Sequence, residues 1–253
     1  MTENFDAYAA YYDIFNSEKD YAQETKVVMD YLQRRGMTSG SIFELGCGSG
    51  GHAFELVSKG FDVTGVDLSD HMLDIARKRA SSISGPVPSF VSGDARSVRL
   101  GKTFDILLSL FHVASYQTSD EDIQGFFDTA AKHLKPGGVL LFDCWFGPAV
   151  LWQKPERRVR KFTADGVNAE RTAEPEHVPS ENRVCVKFTI NVTGPDLPAP
   201  VEIVEEHNMR YFFQPELKKF LSDSFEDIEV FAWETRSPPD RDDWTAVVVA
   251  RRK

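Results

Sequence analysis

A cluster of glycines after a short apolar segment is the feature that most restricts the fold of this chain. The segment runs from Ser41 to Leu45, the cluster runs from Gly46 to Gly51, and a helical pattern continues through Lys59. Because glycine has no Cβ, a strand, loop and helix in this order let a ligand approach backbone amides and a helix N-terminus closely. The spacing Gly46-x-Gly48-x-x-Gly51 also satisfies the dinucleotide fingerprint, so the glycines alone do not select the cofactor.

Strand and helix patterns alternate along residues 41–143. Strands are predicted at Phe61 to Asp67, Ser89 to Val91, Phe104 to Leu110 and Val139 to Asp143, and helices at Ser69 to Ala80 and Asp120 to Leu134. A helix capped by Asp20 precedes them, and Lys135 to Gly138 is predicted to be a turn. Repeated β-α units of this kind indicate an α/β, Rossmann-like fold, with a parallel sheet covered by helices on both faces.

The pattern changes after Trp145. Segments such as Val184 to Val192 and Val201 to Phe212 alternate in character and are separated by Pro- and Gly-bearing turns. We interpret residues 146–213 as an antiparallel β insertion that caps the substrate and pairs two subunits. Residues 1–145 then form the core with N-terminal lid helices, and residues 214–253 add a helix and strands that complete the core sheet.

Three carboxylates lie at successive strand ends. Glu44 precedes the glycines, Asp67 ends the second strand about 20 residues later, and Asp94 follows the third. A carboxylate at the second position can accept hydrogen bonds from ribose hydroxyls. Glu44 would repel a pyrophosphate but suits a cofactor with ammonium and sulfonium groups, and Asp94 could take the exocyclic amine of an adenine. The three acids therefore fit a cationic nucleoside.

The composition and net charge of the chain limit the classes of molecule that it is expected to bind. The 253 residues contain 29 Lys and Arg against 39 Asp and Glu, for a formal net charge of −10. A nucleic-acid binder normally has a basic surplus, so a small-molecule substrate is favoured over nucleic acid. The start of the chain shows no targeting segment, no stretch predicts a membrane span, and three widely spaced cysteines suit reduced thiols. We expect a cytoplasmic protein without a membrane partner.

Four motifs resemble those of class I S-adenosylmethionine-dependent methyltransferases, in the same order and at the same spacing. They are Glu44-Leu45-Gly46-Cys47-Gly48-Ser49-Gly50, Gly65-Val66-Asp67-Leu68-Ser69, Gly93-Asp94-Ala95 and Leu134-Lys135-Pro136-Gly137-Gly138. The resemblance covers roughly residues 20–145. It implies a seven-stranded methyltransferase sheet and S-adenosyl-L-methionine as the cofactor.

The same resemblance implies a role for each matching residue. Glu44 and Gly46 would lie near the methionine moiety, with Gly48 and Gly50 completing the loop. Asp67 would bind the ribose, and Leu68 and Met72 would lie along the adenine. Asp94 and Ala95 would contact the adenine edge, and Leu110 the cofactor at the end of the fourth strand. Tyr21 either lines the cofactor pocket or packs in the core.

A second set of segments resembles one branch, the N-methyltransferases that dimethylate the amine of nucleotide-linked aminodeoxysugars in antibiotic biosynthesis. The set comprises Tyr8 to Asp13, Lys19-Asp20-Tyr21, Leu110 to Tyr116, Phe142 to Phe146 and Glu205 to Asn208. In that branch a tyrosine near the N-terminus reaches over the active site, which maps to Tyr12 here. The alternative is that Tyr12 packs on one face of a lid helix. Methyl transfer to an amine is thus the implied activity.

The catalytic base is left open by the sequence. The branch carries a histidine at the position of Tyr116, and His112 lies slightly earlier, so we consider Tyr12, His112 and Tyr116 as catalytic candidates. A neutral amine could also attack without a dedicated base.

Substrate contacts are predicted at Tyr12, Tyr116, Trp145, Arg158 and Arg160. Arg157 to Lys161 is the one basic cluster and could receive the diphosphate of a nucleotide-sugar. The alternatives are a solvated charged stretch for the arginines and core packing for Trp145.

Two competing functions remain at this point. One is methylation of another small amine, hydroxyl or carboxylate, and the other is a non-catalytic protein that binds S-adenosylmethionine. His207 has no suitably spaced His or Cys partners, so no metal site is predicted.

Overall fold

Alternating strands and helices build the chain around one large sheet. The computed structural model describes residue 15 and residues 19–164, 166–195, 197 and 199–253. The helices are α1 (Tyr21–Arg34), α2 (Gly51–Ser58), α3 (Asp70–Ser81), α4 (Asp120–His133), α5 (Gly147–Gln153) and α6 (Gln214–Leu221). Within those ranges, no helix is long and apolar enough to cross a membrane.

The strands of the described residues fall into a core set and an insertion set. The core strands are β1 (Ser41–Leu45), β2 (Asp62–Asp67), β3 (Ser89–Ser92), β4 (Phe104–Ser109), β5 (Leu134–Phe146), β10 (Phe225–Ala232) and β11 (Thr245–Arg252). The insertion contributes β6 (Arg158–Ala164), β7 (Val167–Val178), β8 (Arg183–Thr193) and β9 (Val201–Phe212). Short 3₁₀ turns occupy Val113–Tyr116 and Pro179–Glu181.

The core sheet has the order β3-β2-β1-β4-β5-β11-β10. The first five strands are parallel, whereas β11 lies antiparallel to β5 and β10 antiparallel to β11. The predicted α/β class, with seven core strands and an antiparallel insertion, is confirmed. Because β1, β2, β4 and β5 are parallel, their carboxyl ends meet at one edge of the sheet, which is where ligands bind in open α/β sheets.

Both faces of the sheet are covered, as continuous apolar strands require. Along β5, Leu140 and Phe142 face the cluster that includes Phe126 of α4 and Leu217 of α6. The intervening Val139 and Leu141 face the cluster formed with α1 and α2. The two clusters hold the strand ends, and therefore the site, in a rigid frame.

Side chains cap two helices, as the sequence predicted for the helix that follows Asp20. Asp20 Oδ1 accepts a hydrogen bond from Gln23 N at 2.8 Å, and Ser69 Oγ accepts one from Met72 N at 3.3 Å. One prediction was wrong: Lys135 to Gly138 is not a separate turn, because β5 already begins at Leu134. Helix α5 had not been predicted, because its seven residues are too few to establish an apolar period.

The insertion extends the core sheet at its functional edge. Strands β6 to β9 form an antiparallel meander. Trp145 of β5 pairs with Thr245 on one side and with Tyr211 on the other, so β9 lies on the β4 side of β5, beyond the end of β4. Arg210 anchors β9 further, because its buried guanidinium forms ion pairs with Asp120 at 2.8 Å and with Glu216. The face of the meander is thereby held next to the carboxyl ends of the parallel strands.

Candidate active site

The glycine loop after β1 takes a shape that side chains would prevent. Gly46, Gly48 and Gly50 have φ of +74°, +54° and +82°, in the left-handed region that favours glycine. A Cβ on Gly46 would lie 2.3 Å from Cγ2 of Val113, which belongs to the turn after β4. The loop is thus strained for any other residue and tightly packed, and it begins α2 with backbone amides available to a ligand.

Asp67 fastens this loop to the end of β2. Its Oδ2 accepts a hydrogen bond from Gly48 N at 2.7 Å, and its Oδ1 accepts one from Ser69 N at 2.9 Å. Burial raises the pKa of Asp67, opposed by these backbone amides. Each carboxylate oxygen keeps a second lone pair for a ribose hydroxyl. Beside it Leu68 is 40% exposed, whereas Met72 is buried at 4%.

Glu44 presents an unsatisfied acceptor beneath the loop. The side chain is 1% exposed, Oε2 has no hydrogen-bond partner among the described residues, and Oε1 lies 3.8 Å from Nδ1 of His52. Burial raises the pKa of Glu44 to about 8; Lys19 opposes the shift and Asp67 adds to it. A buried acceptor without a partner is costly, and an ammonium group would satisfy it. The residue therefore fits the methionine ammonium of S-adenosylmethionine.

A buried polar chain connects Glu44 to helix α1. Nε2 of His52 lies 2.7 Å from Oε2 of Glu24, which is also 3.3 Å from Nζ of Lys19. Burial lowers the pKa of both His52 and Lys19. The sequence analysis missed this network, since its members are distant in sequence and no motif contains His52 or Glu24.

Tyr21 lies against the start of α2. Its ring occupies the space that a Cβ on Gly51 would need, and it makes an edge contact with the His52 ring at 5.0 Å between centroids. The side chain thus packs beside the glycine loop, and its predicted cofactor contact remains a prediction.

Asp94 is held by a neighbouring arginine. Arg96 donates from Nε and Nη2 to the two carboxylate oxygens at 2.9 and 2.6 Å, and its Nη1 donates to Asp122 at 2.6 Å. The hydrogen bonds from Arg96 lower the pKa of Asp94. Ala95 packs half-buried against the core cluster. The adenine contacts predicted for both residues remain predictions, and any contact to Asp94 must share the carboxylate with Arg96.

The segment after β4 carries the first candidate base. Leu110 is buried, and both Phe111 and His112 have φ of +64°, a strained conformation for residues with side chains. His112 N donates to Oδ1 of Asp143 at 2.8 Å, and its Nδ1 lies 3.4 Å from Oδ2. Burial lowers the pKa of His112, opposed by Asp143. The imidazole is therefore neutral near pH 7 and able to accept a proton.

The second candidate base lies at the end of the turn Val113–Tyr116. Tyr116 Oη is 2.7 Å from Nδ1 of His207, and Nε2 of His207 is 3.1 Å from Oε2 of Glu205. Both partners belong to β9 of the insertion. They were missed as site residues because Tyr116 and His207 are 91 positions apart, and only the fold brings them together.

The predicted substrate residues occupy two different places. Trp145 is at the end of β5, where its ring contacts Trp244 at 5.3 Å and His112 at 6.4 Å between centroids. Arg158 and Arg160 are exposed on β6, the outermost strand of the meander. Tyr12 lies outside the described residues. The core candidates therefore converge at the strand ends, whereas the two arginines lie on the rim of the insertion.

Known proteins resemble this chain in sequence. Residues 42–138 match a family model described as a methyltransferase domain. The dTDP-3-amino-3,4,6-trideoxy-alpha-D-glucopyranose N,N-dimethyltransferase of Streptomyces venezuelae is 30% identical over 192 residues, which cover 74% of this chain and 77% of the relative. The dTDP-4-amino-2,3,4,6-tetradeoxy-D-glucose N,N-dimethyltransferase of Saccharopolyspora spinosa is 32% identical over 143 residues, or 56% of this chain and 55% of the relative. The match thus spans about half the length of the second relative.

A solved structure extends the similarity to the whole fold. The crystal structure of Streptomyces venezuelae DesVI superposes with a TM-score of 0.80, covering 97% of this chain and 98% of that chain at 23% identity. At this identity the likeness establishes the fold. The insertion and closing strands are therefore included in the shared architecture.

Replacing Asp67 should remove cofactor binding. Asp67→Ala loses both the ribose acceptor and the bonds to Gly48 N and Ser69 N, so we expect affinity for S-adenosylmethionine to fall at least about 100-fold. Isothermal titration calorimetry measures the change. Asp62→Ala, at the exposed opposite end of β2, is the matched control and should bind normally. Retained micromolar binding by Asp67→Ala would contradict the site.

Glu44 should make cofactor binding depend on pH. Its pKa of about 8 leaves the free carboxyl protonated at neutral pH, whereas pairing with an ammonium requires the carboxylate. Binding should release a proton, and affinity should fall about tenfold per unit as the pH decreases from about 7.5 to about 6. Calorimetry in buffers of different ionisation enthalpy measures both effects. Glu44→Gln should bind more weakly with a flat pH profile; an unchanged slope would refute the assignment.

Proposed function

This chain belongs to the class I S-adenosylmethionine-dependent methyltransferases, and we propose that its acceptor is the amine of a nucleotide-linked aminodeoxysugar. The observation that carries the proposal is the 30% identity to an aminodeoxysugar N,N-dimethyltransferase over 77% of that relative. When bound, the cofactor supplies a methyl group already activated by its sulfonium. The protein is left to bind, orient and desolvate the two reactants.

The strand ends perform the binding part of this task. In our proposal Glu44 takes the methionine ammonium, Asp67 takes the ribose, and the amides of the glycine loop accommodate the rest. The buried chain of His52 and Glu24 behind Glu44 keeps the carboxyl oriented. Alignment of acceptor and methyl group then supplies most of the rate.

The acceptor amine must be neutral when it attacks. His112 with Asp143, or Tyr116, takes up its proton in our proposal, and Tyr12 covers the site from the N-terminal side. Trp145 adds an aromatic wall at the end of β5, which disfavours a charged ammonium by desolvation.

We propose that residues 146–213 cap the acceptor and hold its nucleotide. By register, Arg160 lies opposite Arg171 and Phe162 opposite Ala169, so these side chains share one face of the meander. The same face of β9 carries His207, which contacts Tyr116, and Glu205, which contacts His207. Three strand spacings of about 4.8 Å separate β6 from β9. The distance of about 14 Å suits a sugar held near β9 and a diphosphate held by Arg158 and Arg160.

A different small acceptor is the second candidate, and one observation favours it. Arg157 and Lys161 of the basic cluster pair with Glu174 and Glu170 at 3.5 and 3.2 Å. Such ion pairs within the protein are typical of an exposed, solvated strand and do not require a bound phosphate. Under this alternative another amine, a hydroxyl or a carboxylate would be methylated, and Arg158 and Arg160 would be idle.

Charge reversal on the two faces of β6 distinguishes the candidates. Arg158→Glu with Arg160→Glu should raise KM for a dTDP-linked aminodeoxysugar at least about tenfold, because the diphosphate loses its guanidinium partners. KM for S-adenosylmethionine should not change. Lys161→Glu makes the same kind of charge change on the opposite face and should have little effect. A mass-spectrometric methylation assay measures each value, and an unchanged KM in the double variant would favour the alternative acceptor.

We also propose that the enzyme works in the cytoplasm as a homodimer. The outer face of the meander carries a row of uncharged residues, Val159, Thr172, Thr189 and Val204, with both valines exposed. Sedimentation equilibrium should give twice the mass of one chain, and Val204→Lys should give a monomer. A wild-type monomer would refute the pairing. The three free cysteines suit a reducing compartment, which cell fractionation tests.

A further inference from the structure

We propose that Tyr116, His207 and Glu205 form a proton relay that accepts the proton of the acceptor ammonium. The inference rests on the proposed methylation of an amine. In this proposal Tyr116 contacts the acceptor and is the catalytic residue of the relay. His207 and Glu205 are positioning residues that act through Tyr116.

Two hydrogen bonds connect the three side chains, and both can be donated in the same direction, toward Glu205. Oε2 of Glu205 lies 3.1 Å from Nε2 of His207, and Nδ1 of His207 lies 2.7 Å from Oη of Tyr116. In our proposal the Glu205 carboxylate accepts a hydrogen bond from Nε2 of His207, which leaves Nδ1 as the acceptor. The phenol of Tyr116 must then donate its proton to Nδ1. Its oxygen is therefore an acceptor toward the substrate.

Burying Glu205 and His207 costs free energy in the unliganded protein, and a role in catalysis would explain that cost. Glu205 is 3% exposed and His207 is 8% exposed. Oε1 of Glu205 is fully buried and has no hydrogen-bond partner within the described residues. A carboxylate with one unsatisfied oxygen is destabilising when buried, but it stabilises an imidazolium formed next to it.

The relay adjoins the place where the methyl group must lie. The turn Val113–Tyr116 contacts the glycine loop through Val113, whose Cγ2 fills the space beside Gly46. Ser115 Oγ of the same turn accepts a hydrogen bond from Trp145 N at 2.9 Å. One turn thus joins the cofactor loop, the end of β5 and, through Tyr116, the insertion.

Glu205 and Tyr116 are ionisable side chains that contact His207 with a known geometry. On β8 the imidazole faces Val186 by register and meets the Phe188 ring edge-on at 4.9 Å between centroids. On β7 the same face carries His177 and Arg171 by register, and the guanidinium of Arg171 packs on Phe188 at 5.2 Å. Apolar walls strengthen the hydrogen bonds of the relay.

The proton balance of the step is simple. The ammonium R–NH₃⁺ transfers a proton to Oη of Tyr116 while the phenol proton moves to Nδ1 of His207. The products are R–NH₂, a neutral tyrosine and an imidazolium paired with the Glu205 carboxylate. The amine lone pair then forms the N–C bond to the methyl group as the C–S bond breaks toward sulfur. The proton held on His207 leaves to solvent before the next turnover.

The test compares pH profiles of matched variants. His207→Gln and Glu205→Gln interrupt the relay, and His177→Gln breaks another His–Tyr contact of the meander, between His177 and Tyr211 at 3.1 Å. The probe is dTDP-3-amino-3,4,6-trideoxy-glucopyranose with S-adenosylmethionine. At about pH 6.5 the two relay variants should lose about tenfold or more in kcat/KM. Near pH 9.5, where the amine is already neutral, they should regain the wild-type rate. His177→Gln should follow the wild type throughout.

A second measurement reports the relay without turnover. Long-range ¹H–¹⁵N spectra of the complex with S-adenosylhomocysteine should show the His207 ring becoming doubly protonated when the aminosugar is added. In Tyr116→Phe the ring should stay neutral. Binding of S-adenosylhomocysteine to every variant, measured by calorimetry, establishes that each protein is folded.

Three results would overturn the relay. They are an equal loss of rate at every pH, no loss at any pH, and a pH signature that appears in His112→Asn instead of His207→Gln. Absence of turnover by the wild type with any nucleotide-linked aminosugar would instead refute the proposed function, and the relay would fall with it.

Discussion

The site depends on the carboxylate of Asp67, which ties two adjacent strand ends together. By accepting from Gly48 N and Ser69 N, it holds the loop after β1 against the start of the segment that leads into α3. The loop glycines have positive φ values, and the Asp67 carboxylate gives the backbone amide of Gly48 a hydrogen-bond acceptor in this conformation. With the loop in place, the Val113 side chain packs against Gly46, and this contact positions the 3₁₀ turn that carries Tyr116.

The parts of the site that the sequence predicted are those encoded locally. A strand, glycines and a helix lie within 20 residues, and the next strand ends at Asp67. The sequence therefore predicted that Glu44, Gly46 and Asp67 lie at one edge of the sheet, and the fold brings the ends of these two strands together. Phe104 to Leu110 and Val201 to Phe212 were predicted within one residue of the observed strands. The pairs that were missed, such as Tyr116 with His207, are created by β9 joining β5. That pairing has no local signal, because it depends on long-range register.

The overall charge of −10 is compatible with an anionic substrate because the chain separates its charges by place. Acids gather at the strand ends, where we propose that Glu44 and Asp67 bind the cationic cofactor. The arginines gather on the rim of the insertion, about three strands away. On the outer face of the meander Glu170 and Glu174 pair with Lys161 and Arg157, and the inner face presents Arg158, Arg160 and Arg171. Local charge pattern, rather than the net value, therefore decides what each region can bind.

Two buried carboxyl groups, one in the core sheet and one in the insertion, each have one oxygen without a hydrogen-bond partner among the described residues. Oε2 of Glu44 comes from the sheet, and Oε1 of Glu205 comes from the insertion. A chain selected for stability alone would pair or remove both groups, since each costs free energy in the unliganded protein. The cost is reasonable if positive charge arrives from both directions during catalysis: the cofactor's ammonium at Glu44 and the acceptor's proton at His207. The insertion would then be a chemical part of the active site as well as its cover, because β9 supplies His207, to which Tyr116 passes a proton in our proposal.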